Sequence, residues 1–116
     1  MKLRVRGSAV RMRLTKPEVD ALRANGTVEE AAEFPGGGRL RYAITVEGER
    51  LAASYGEGGL VIRVPRAQAE AWCASDEVGI EGEDGPTRIL VEKDWACVKP
   101  RSDEDPAEMY ANPRVK

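Results

Sequence analysis

The first fourteen residues carry five cationic side chains and no carboxylate. These five are Lys2, Arg4, Arg6, Arg11 and Arg13. A cluster of one charge attracts anions, and the planar arginine guanidinium binds phosphate or carboxylate through paired hydrogen bonds. Because the cationic residues alternate with apolar ones, a strand here places them together on one face. The segment therefore predicts a surface for an anionic ligand or an acidic protein.

Further arginines extend this hypothesis along the chain. Arg39 and Arg41 alternate in a second stretch, and Arg63 lies 50 residues beyond Arg13. The candidate ligand-binding arginines are Arg4, Arg6, Arg11, Arg13, Arg41 and Arg63. The competing interpretation is a solvated sheet surface, on which the arginines pair across strands with nearby carboxylates. Those carboxylates are Glu29, Glu30, Glu33, Glu47 and Glu49.

Lys93 is a further candidate binding residue, and it is also the candidate for acid–base chemistry, since it stands between Glu92 and Asp94. Neighbouring carboxylates shift the proton affinity of a lysine, as a catalytic lysine requires. The alternative is an ordinary solubilising strand end. Trp72 and Trp95 raise a similar choice, between the wall of a ligand pocket and anchors of the core.

Several common catalytic arrangements are missing from the sequence. It has no histidine, so it lacks the usual general base near neutral pH and the triads built on it. Cys73 and Cys97 are too few for a zinc site, and we interpret them as buried thiols. The glycines at 36–38 lack the lysine and hydroxyl residue of a phosphate-binding loop. We therefore expect no metal and no cofactor, and a binding module rather than an enzyme.

The bulk composition bounds the class of protein. The 116 residues are 41% hydrophobic and 33% charged, with a formal net charge of -2, as in one folded domain. No apolar run has the length of a signal peptide or a membrane span, so we expect a cytoplasmic protein without a membrane partner. A sequence pI of about 5.3 argues against general nucleic-acid binding. Basic residues prevail in the first half and acidic ones in the second, which is compatible with a homodimer.

The elements that position these residues follow from an internal repeat. Residues 11–28 align with residues 61–78 without a gap, at an offset of 50. Apolar positions coincide in the two segments: Met12 with Ile62, Leu14 with Val64 and Leu22 with Trp72. We interpret residues 1–98 as a single α+β domain made of pseudo-repeats 1–48 and 49–98. Residues 99–116 are expected to form an extended or disordered tail.

Each half predicts a strand that leads into a short helix. The alternation over residues 10–14 is typical of a half-buried strand. Thr15 and Glu18 have the spacing of a capping box, and Gly26 provides a left-handed end to the helix. In the second half, Pro65 begins the helix.

Turn residues divide the remainder into four hairpins. Strands are expected at residues 3–6, 10–14, 28–34, 39–46, 51–55, 60–64, 77–82 and 87–92. The predicted fold is therefore α+β, a mainly antiparallel small barrel or curved sheet. It is built from a duplicated β-β-α-β-β unit, with about eight strands and two short helices.

Four stretches carry a resemblance to a known family. They are the opening MKLRVRG, LRYAI, SDEVGIEGE and, near the end, RILVEKDWACV. Together they resemble a family of small bacterial proteins with no assigned function, over nearly the whole chain. The resemblance implies a stand-alone domain of this size and brings no catalytic residues with it.

The second half carries another, shorter resemblance. VIRVPRAQAEAWCASDEVGIEGE is similar to the strand-proline-helix-acidic turn-strand unit of AbrB-like and other cradle-loop barrel proteins. Val64, Pro65, Asp76 and Val78 match the order of that unit. The chain departs from it by carrying both units where AbrB-like chains carry one and dimerise, and by Ser75 in place of the usual glycine.

The function that these observations favour is a non-catalytic binding module. It would recognise an anionic ligand or an acidic protein surface through its arginine-bearing face. Two alternatives stay open: a small histidine-free enzyme with Lys93 and carboxylates in a pocket, and an AbrB-like regulator that binds DNA. The last predicts a steep dependence of affinity on salt.

Overall fold

The computed structural model describes residues 1–94, which form eight strands and two helices. The first half comprises β1 (Lys2–Arg6), β2 (Ala9–Leu14), α1 (Lys16–Asn25), β3 (Thr27–Glu33) and β4 (Arg39–Val46). The second comprises β5 (Ala52–Gly56), β6 (Gly59–Val64), α2 (Arg66–Cys73), β7 (Gly79–Asp84) and β8 (Thr87–Lys93). The order β-β-α-β-β therefore occurs twice, as the sequence predicts.

The strands form two four-stranded sheets, with the orders β1-β2-β8-β7 in the first sheet and β3-β4-β6-β5 in the second. Sequential strands pair as antiparallel hairpins, whereas the central pairs β2/β8 and β4/β6 are parallel. Each half therefore gives one hairpin to each sheet. Among residues 1–94 both sheets keep two edge strands, so these residues form no closed barrel. The α+β fold with mainly antiparallel sheets is confirmed.

The inner faces of both sheets enclose one apolar core. Met12 and Leu14 from β2 and Ile89 and Val91 from β8 are fully buried there, together with Ile44 from the second sheet. Such side chains each stabilise the fold by roughly 1.5–3 kcal/mol through removal from water. The alternation predicted for residues 10–14 is thus the alternation between the core and the outer face of the first sheet.

Trp72 of α2 is an anchor of this core rather than the wall of a ligand pocket. Its side chain is fully buried, and its indole Nε1 donates a hydrogen bond to the carbonyl oxygen of Val78 at 3.2 Å. The polar edge of the ring is thereby satisfied inside the apolar interior. Trp95 and Cys97 lie outside the described residues, as does the predicted tail at 99–116.

The start of α1 has the predicted cap, with an additional ion pair. Glu18 accepts hydrogen bonds from the backbone N–H and the hydroxyl of Thr15, at 2.9 and 3.0 Å. The same carboxylate pairs with the α-amine of Met1, which lies 3.1 Å from Glu30 as well. At the other end Gly26 takes a left-handed φ of 77° and donates to the carbonyl of Leu22.

Burial and hydrogen bonding act in opposite directions on this terminal cluster. Burial alone would lower the pKa of the α-amine, but hydrogen bonds to Glu18 and Glu30 raise it above its ordinary value. Burial would likewise raise the pKa of Glu18, yet hydrogen bonds from the amine and from Thr15 lower it. Both groups are therefore held in their charged forms.

Strands and helices recur at the offset seen in the sequence. β1, β2 and α1 begin at residues 2, 9 and 16, and β5, β6 and α2 begin at residues 52, 59 and 66. β7 begins two residues later than predicted, because residues 76–78 follow α2 as irregular chain. Descent of the two halves from one duplicated unit stays a prediction. Among residues 1–94, no helix is long and apolar enough to cross a membrane.

Candidate anion-binding face

Strand pairing gathers the N-terminal arginines on the outer face of the first sheet. Arg4 on β1 lies opposite Arg11 on β2, and Lys2 lies opposite Arg13. The apolar residues between them turn to the opposite side, where Leu3 pairs with buried Met12. The predicted segregation of charge to one face of the hairpin therefore occurs.

The parallel partner strand β8 adds a further arginine to this face. Its register places Arg88 beside Ala9, Leu90 beside Arg11 and Glu92 beside Arg13. Together β1, β2, β7 and β8 enclose a cavity of about 370 Å³. We call it the arginine cleft, and its lining residues are Arg4, Arg6, Ala9, Val10, Arg11, Glu81, Arg88 and Leu90.

A buried carboxylate organises the floor beside this cleft. Glu92 Oε1 accepts hydrogen bonds from Arg11 Nε at 2.6 Å and from Arg13 Nε at 2.8 Å. The side chains of Arg11, Arg13 and Glu92 are only 13%, 9% and 9% exposed. Buried charges persist when they are paired, and the carboxylate of Glu92 pairs with both guanidinium groups at once. Glu92 therefore fixes the positions of Arg11 and Arg13 next to the cleft.

The rim of the cleft is more exposed and includes an ion pair between Arg88 and Glu81. Arg88 donates to Glu81 at 2.8 Å, and this hydrogen bond raises the pKa of Arg88 further above its already high value. Lys2 lies 3.2 Å from Asp94 at the far end of the same face. Within residues 1–94, the outer face of the first sheet carries six cationic residues and four carboxylates. The cationic residues are Lys2, Arg4, Arg6, Arg11, Arg13 and Arg88, and the carboxylates are Glu81, Glu83, Glu92 and Asp94.

The structure does not bring Arg39, Arg41 or Arg63 to this cleft, because they belong to the second sheet. Arg41 pairs across strands with Glu29 at 2.9 Å, and Arg39 lies 3.4 Å from Glu33. Arg63 donates to Ser54 at 2.8 Å and lies 3.3 Å from Glu47. For these three residues the geometry is that of the alternative interpretation, a solvated face of cross-strand ion pairs.

Arg13 also differs from the arrangement expected for a ligand-binding residue. Its guanidinium donates a hydrogen bond to Glu92, and the residue is buried. Its place in the structure is that of a positioning residue for Glu92 and, through it, for Arg11. Of the predicted candidates, Arg4, Arg6 and Arg11 line the cleft.

Lys93 occupies a different place, at the C-terminal end of α2. Its ammonium donates to the carbonyl oxygens of Trp72 and Ser75, at 2.7 and 2.5 Å, and lies 5.4 Å from the Trp72 ring centroid. A cation at the negative end of a helix is stabilising.

Lys93 and Asp94 also line a cavity of about 310 Å³ that Cys73 borders. Burial raises the pKa of the Cys73 thiol, so this group stays protonated near neutral pH.

Sequence reasoning missed Arg88 and the role of Glu92. Both residues reach the site through the parallel pairing of β2 with β8, which joins residues 79 positions apart. A local pattern carries no information on that pairing. One signal could have indicated it. Arg13 stands between Met12 and Leu14, which are both buried, so its charge requires a carboxylate partner.

These observations define the class of protein: a small α+β domain of two mixed sheets that presents an arginine cleft on one outer face. The chain belongs to a family of unknown function, DUF7009, whose family model covers residues 1–114. The predicted membership in a family without an assigned function is thereby confirmed. Comparison with curated proteins and comparison with solved structures gave no match.

Proposed function

We propose that the protein is a non-catalytic binding module that holds an anionic ligand in the arginine cleft. The observation that supports this proposal is convergence. Arg4, Arg6, Arg11 and Arg88 come from three strands and line one cavity. Guanidinium groups on neighbouring strands can each donate two hydrogen bonds to a carboxylate or phosphate, which gives both affinity and orientation.

Preorganisation of the floor favours the cleft over the other charged surfaces. Arg11 is fixed by its hydrogen bond to Glu92, so it loses little side-chain entropy when a ligand binds. The arginines of the second sheet are held in exposed cross-strand pairs, such as Arg41 with Glu29. Among residues 1–94, the buried charged residues Arg13 and Glu92 both belong to the first sheet, so the second sheet is the weaker candidate.

The alternative of a histidine-free enzyme receives less support from the geometry. The ammonium of Lys93 is engaged by two carbonyl oxygens at the end of α2, and the thiol of Cys73 is held protonated. Neither group is poised as a nucleophile or a base. DNA binding in the AbrB-like manner is also less favoured, because Glu81 and Glu83 stand on the same outer face as the cleft.

Charge reversal on the edge strand tests the proposal. We expect Arg4→Glu with Arg6→Glu to weaken binding of inorganic triphosphate or a hexaglutamate peptide by about tenfold or more, since each charge-assisted hydrogen bond contributes about 1.5–3 kcal/mol. Both residues are exposed, so the fold should tolerate the change. The matched control is Arg39→Glu with Arg41→Glu, which has the same spacing and charge change on the second sheet.

Isothermal titration calorimetry at two salt concentrations measures both variants. The proposal is overturned if the wild-type chain binds neither probe, or if the control loses as much affinity as the cleft variant. Binding of duplex DNA with a steep salt dependence, in place of the two probes, would instead favour the AbrB-like alternative.

A further inference from the structure

We propose that the arginine cleft takes an extended acidic polypeptide, and that one such segment is the chain's own residues 102–108. This inference rests on the proposed function and names the class of partner for the same site. It follows from the spacing of the arginines, the edge position of β1, and the charge pattern and length of the following chain.

The spacing of the arginines matches an extended polypeptide. Arg4 and Arg6 stand two residues apart on β1 and point to the same face, which separates them by about 6.6–6.8 Å. An extended acidic chain repeats its own side chains at the same interval. Two carboxylates at alternate positions can therefore pair with both arginines in one register.

The edge position of β1 favours a polypeptide over a polyphosphate chain. Within residues 1–94, β1 has a strand neighbour on one side only, which is β2. An extended peptide can add to such an edge through backbone hydrogen bonds while its side chains meet the adjacent arginines. A nucleic acid has no backbone amide groups for this pairing.

Residues 102–108, with the sequence SDEDPAE, have the required chemistry. They contain four carboxylates, Asp103, Glu104, Asp105 and Glu108, and no cationic residue. Asp103 and Asp105 stand two positions apart, as Arg4 and Arg6 do. Pro106 disfavours helical backbone at the residue before it, Asp105.

The segment is long enough to reach the cleft. The backbone N–H of Asp94 donates to the carbonyl of Leu14 at 2.8 Å, which fixes the end of the first sheet from which the chain continues. Arg88, at the cleft, lies six residues back along β8, or about 20 Å. Asp103 lies nine positions beyond Asp94, and an extended chain of that length spans about 30 Å.

Occupancy by this segment would regulate the cleft. A tethered segment acts at an effective concentration of about 1 mM when its linker is short. An intrinsic affinity near that value leaves the cleft partly occupied, so an external acidic partner must compete with residues 102–108. Its apparent affinity is then lowered about two- to tenfold.

Neutralisation of the segment in the full chain tests this competition. The test variant combines Asp103→Asn, Glu104→Gln, Asp105→Asn and Glu108→Gln. The control removes the same charge from exposed sites elsewhere, with Glu49→Gln, Glu57→Gln, Asp76→Asn and Glu77→Gln. The probe is the hexaglutamate peptide, titrated by calorimetry against wild type, both variants and the test variant combined with Arg4→Glu and Arg6→Glu.

We expect the test variant to bind the peptide about two- to tenfold more tightly than wild type, the control to match wild type, and the gain to vanish in the combined variant. The Nε–H signals of Arg4 and Arg6 in NMR spectra should move in the test variant and stay in place in the control.

The outcomes separate the two proposals. If Arg4→Glu with Arg6→Glu weakens binding of the hexaglutamate peptide, but the test variant and the control bind it with the same affinity, residues 102–108 are refuted as the occupant. The proposed function then stands. If the arginine variant leaves peptide and triphosphate binding unchanged, both proposals fail. If the test variant binds triphosphate or DNA more tightly than wild type does, but not the peptide, a polypeptide is refuted as the class of ligand.

Discussion

Replacement of the buried carboxylate of Glu92 is the most demanding test of the structural reasoning. In Glu92→Gln the side chain keeps its size but loses the charge that compensates Arg11 and Arg13. Hydrogen bonds of 2.6 and 2.8 Å are weakened at once, and two guanidinium groups stay enclosed at 13% and 9% exposure. Removal of one partner from a buried ion pair costs about 3–5 kcal/mol, so we expect a loss in that range.

Urea denaturation followed by circular dichroism gives the free energy of unfolding for this comparison. A loss of 3 kcal/mol or more is a large part of the roughly 5–15 kcal/mol by which domains are stable. The matched control is Glu29→Gln, which breaks the exposed pair with Arg41 and should cost no more than about 1 kcal/mol. If the two substitutions cost the same, Glu92 does not have the compensating role that its burial implies.

Three further predictions concern the frame around the cleft. Gly59→Ala should lower the free energy of unfolding, measured by urea denaturation, by about 3 kcal/mol or more, because φ is +88° and the new Cβ would lie 2.3 Å from the carbonyl oxygen of Arg41 on β4. Gly48 has a similar φ of +82° but lies in open space, so the control Gly48→Ala should cost about 1–2 kcal/mol. Lys93→Met should lower the unfolding free energy by about 1–3 kcal/mol through the loss of hydrogen bonds at the end of α2, and unchanged stability would contradict that role. The ion pair between the α-amine of Met1 and Glu18 should stabilise the fold most between pH 4.5 and 8.0. This stabilisation should decline as pH rises through the raised pKa of the α-amine, and as pH falls through the lowered pKa of Glu18. Glu18→Gln should remove this contribution from the pH dependence of the urea midpoint.

Local rules in the sequence account for the elements but not for their long-range neighbours. Thr15, Glu18 and Gly26 mark both ends of α1 because capping depends on residues within one turn of the helix. The hairpins follow from turn residues and period-two alternation in the same way. Both parallel pairs join strands from different halves, and packing of the core decides their register, which no short window of sequence contains.

The candidate site was predictable to the same extent. Alternation on β1 correctly places Arg4 and Arg6 on one face, since that is a property of a single strand. Arg41 and Arg63 lie on the other sheet because the assignment of hairpins to sheets is a long-range choice. The burial of Arg13 could not be predicted either, because its partner Glu92 lies on β8, far away in the sequence.

The exchange of hairpins between the two sheets also constrains how the chain acquires its structure. β8 is a central strand of the first sheet, and it is the last strand of residues 1–94 to leave the ribosome. Until β8 is available, β2 has no parallel neighbour, and Met12 lacks its paired residue Val91. The first sheet therefore gains its cooperative stability only after residues 87–93 have been synthesised, and until then β1 and β2 expose edges that other copies of the chain can pair with.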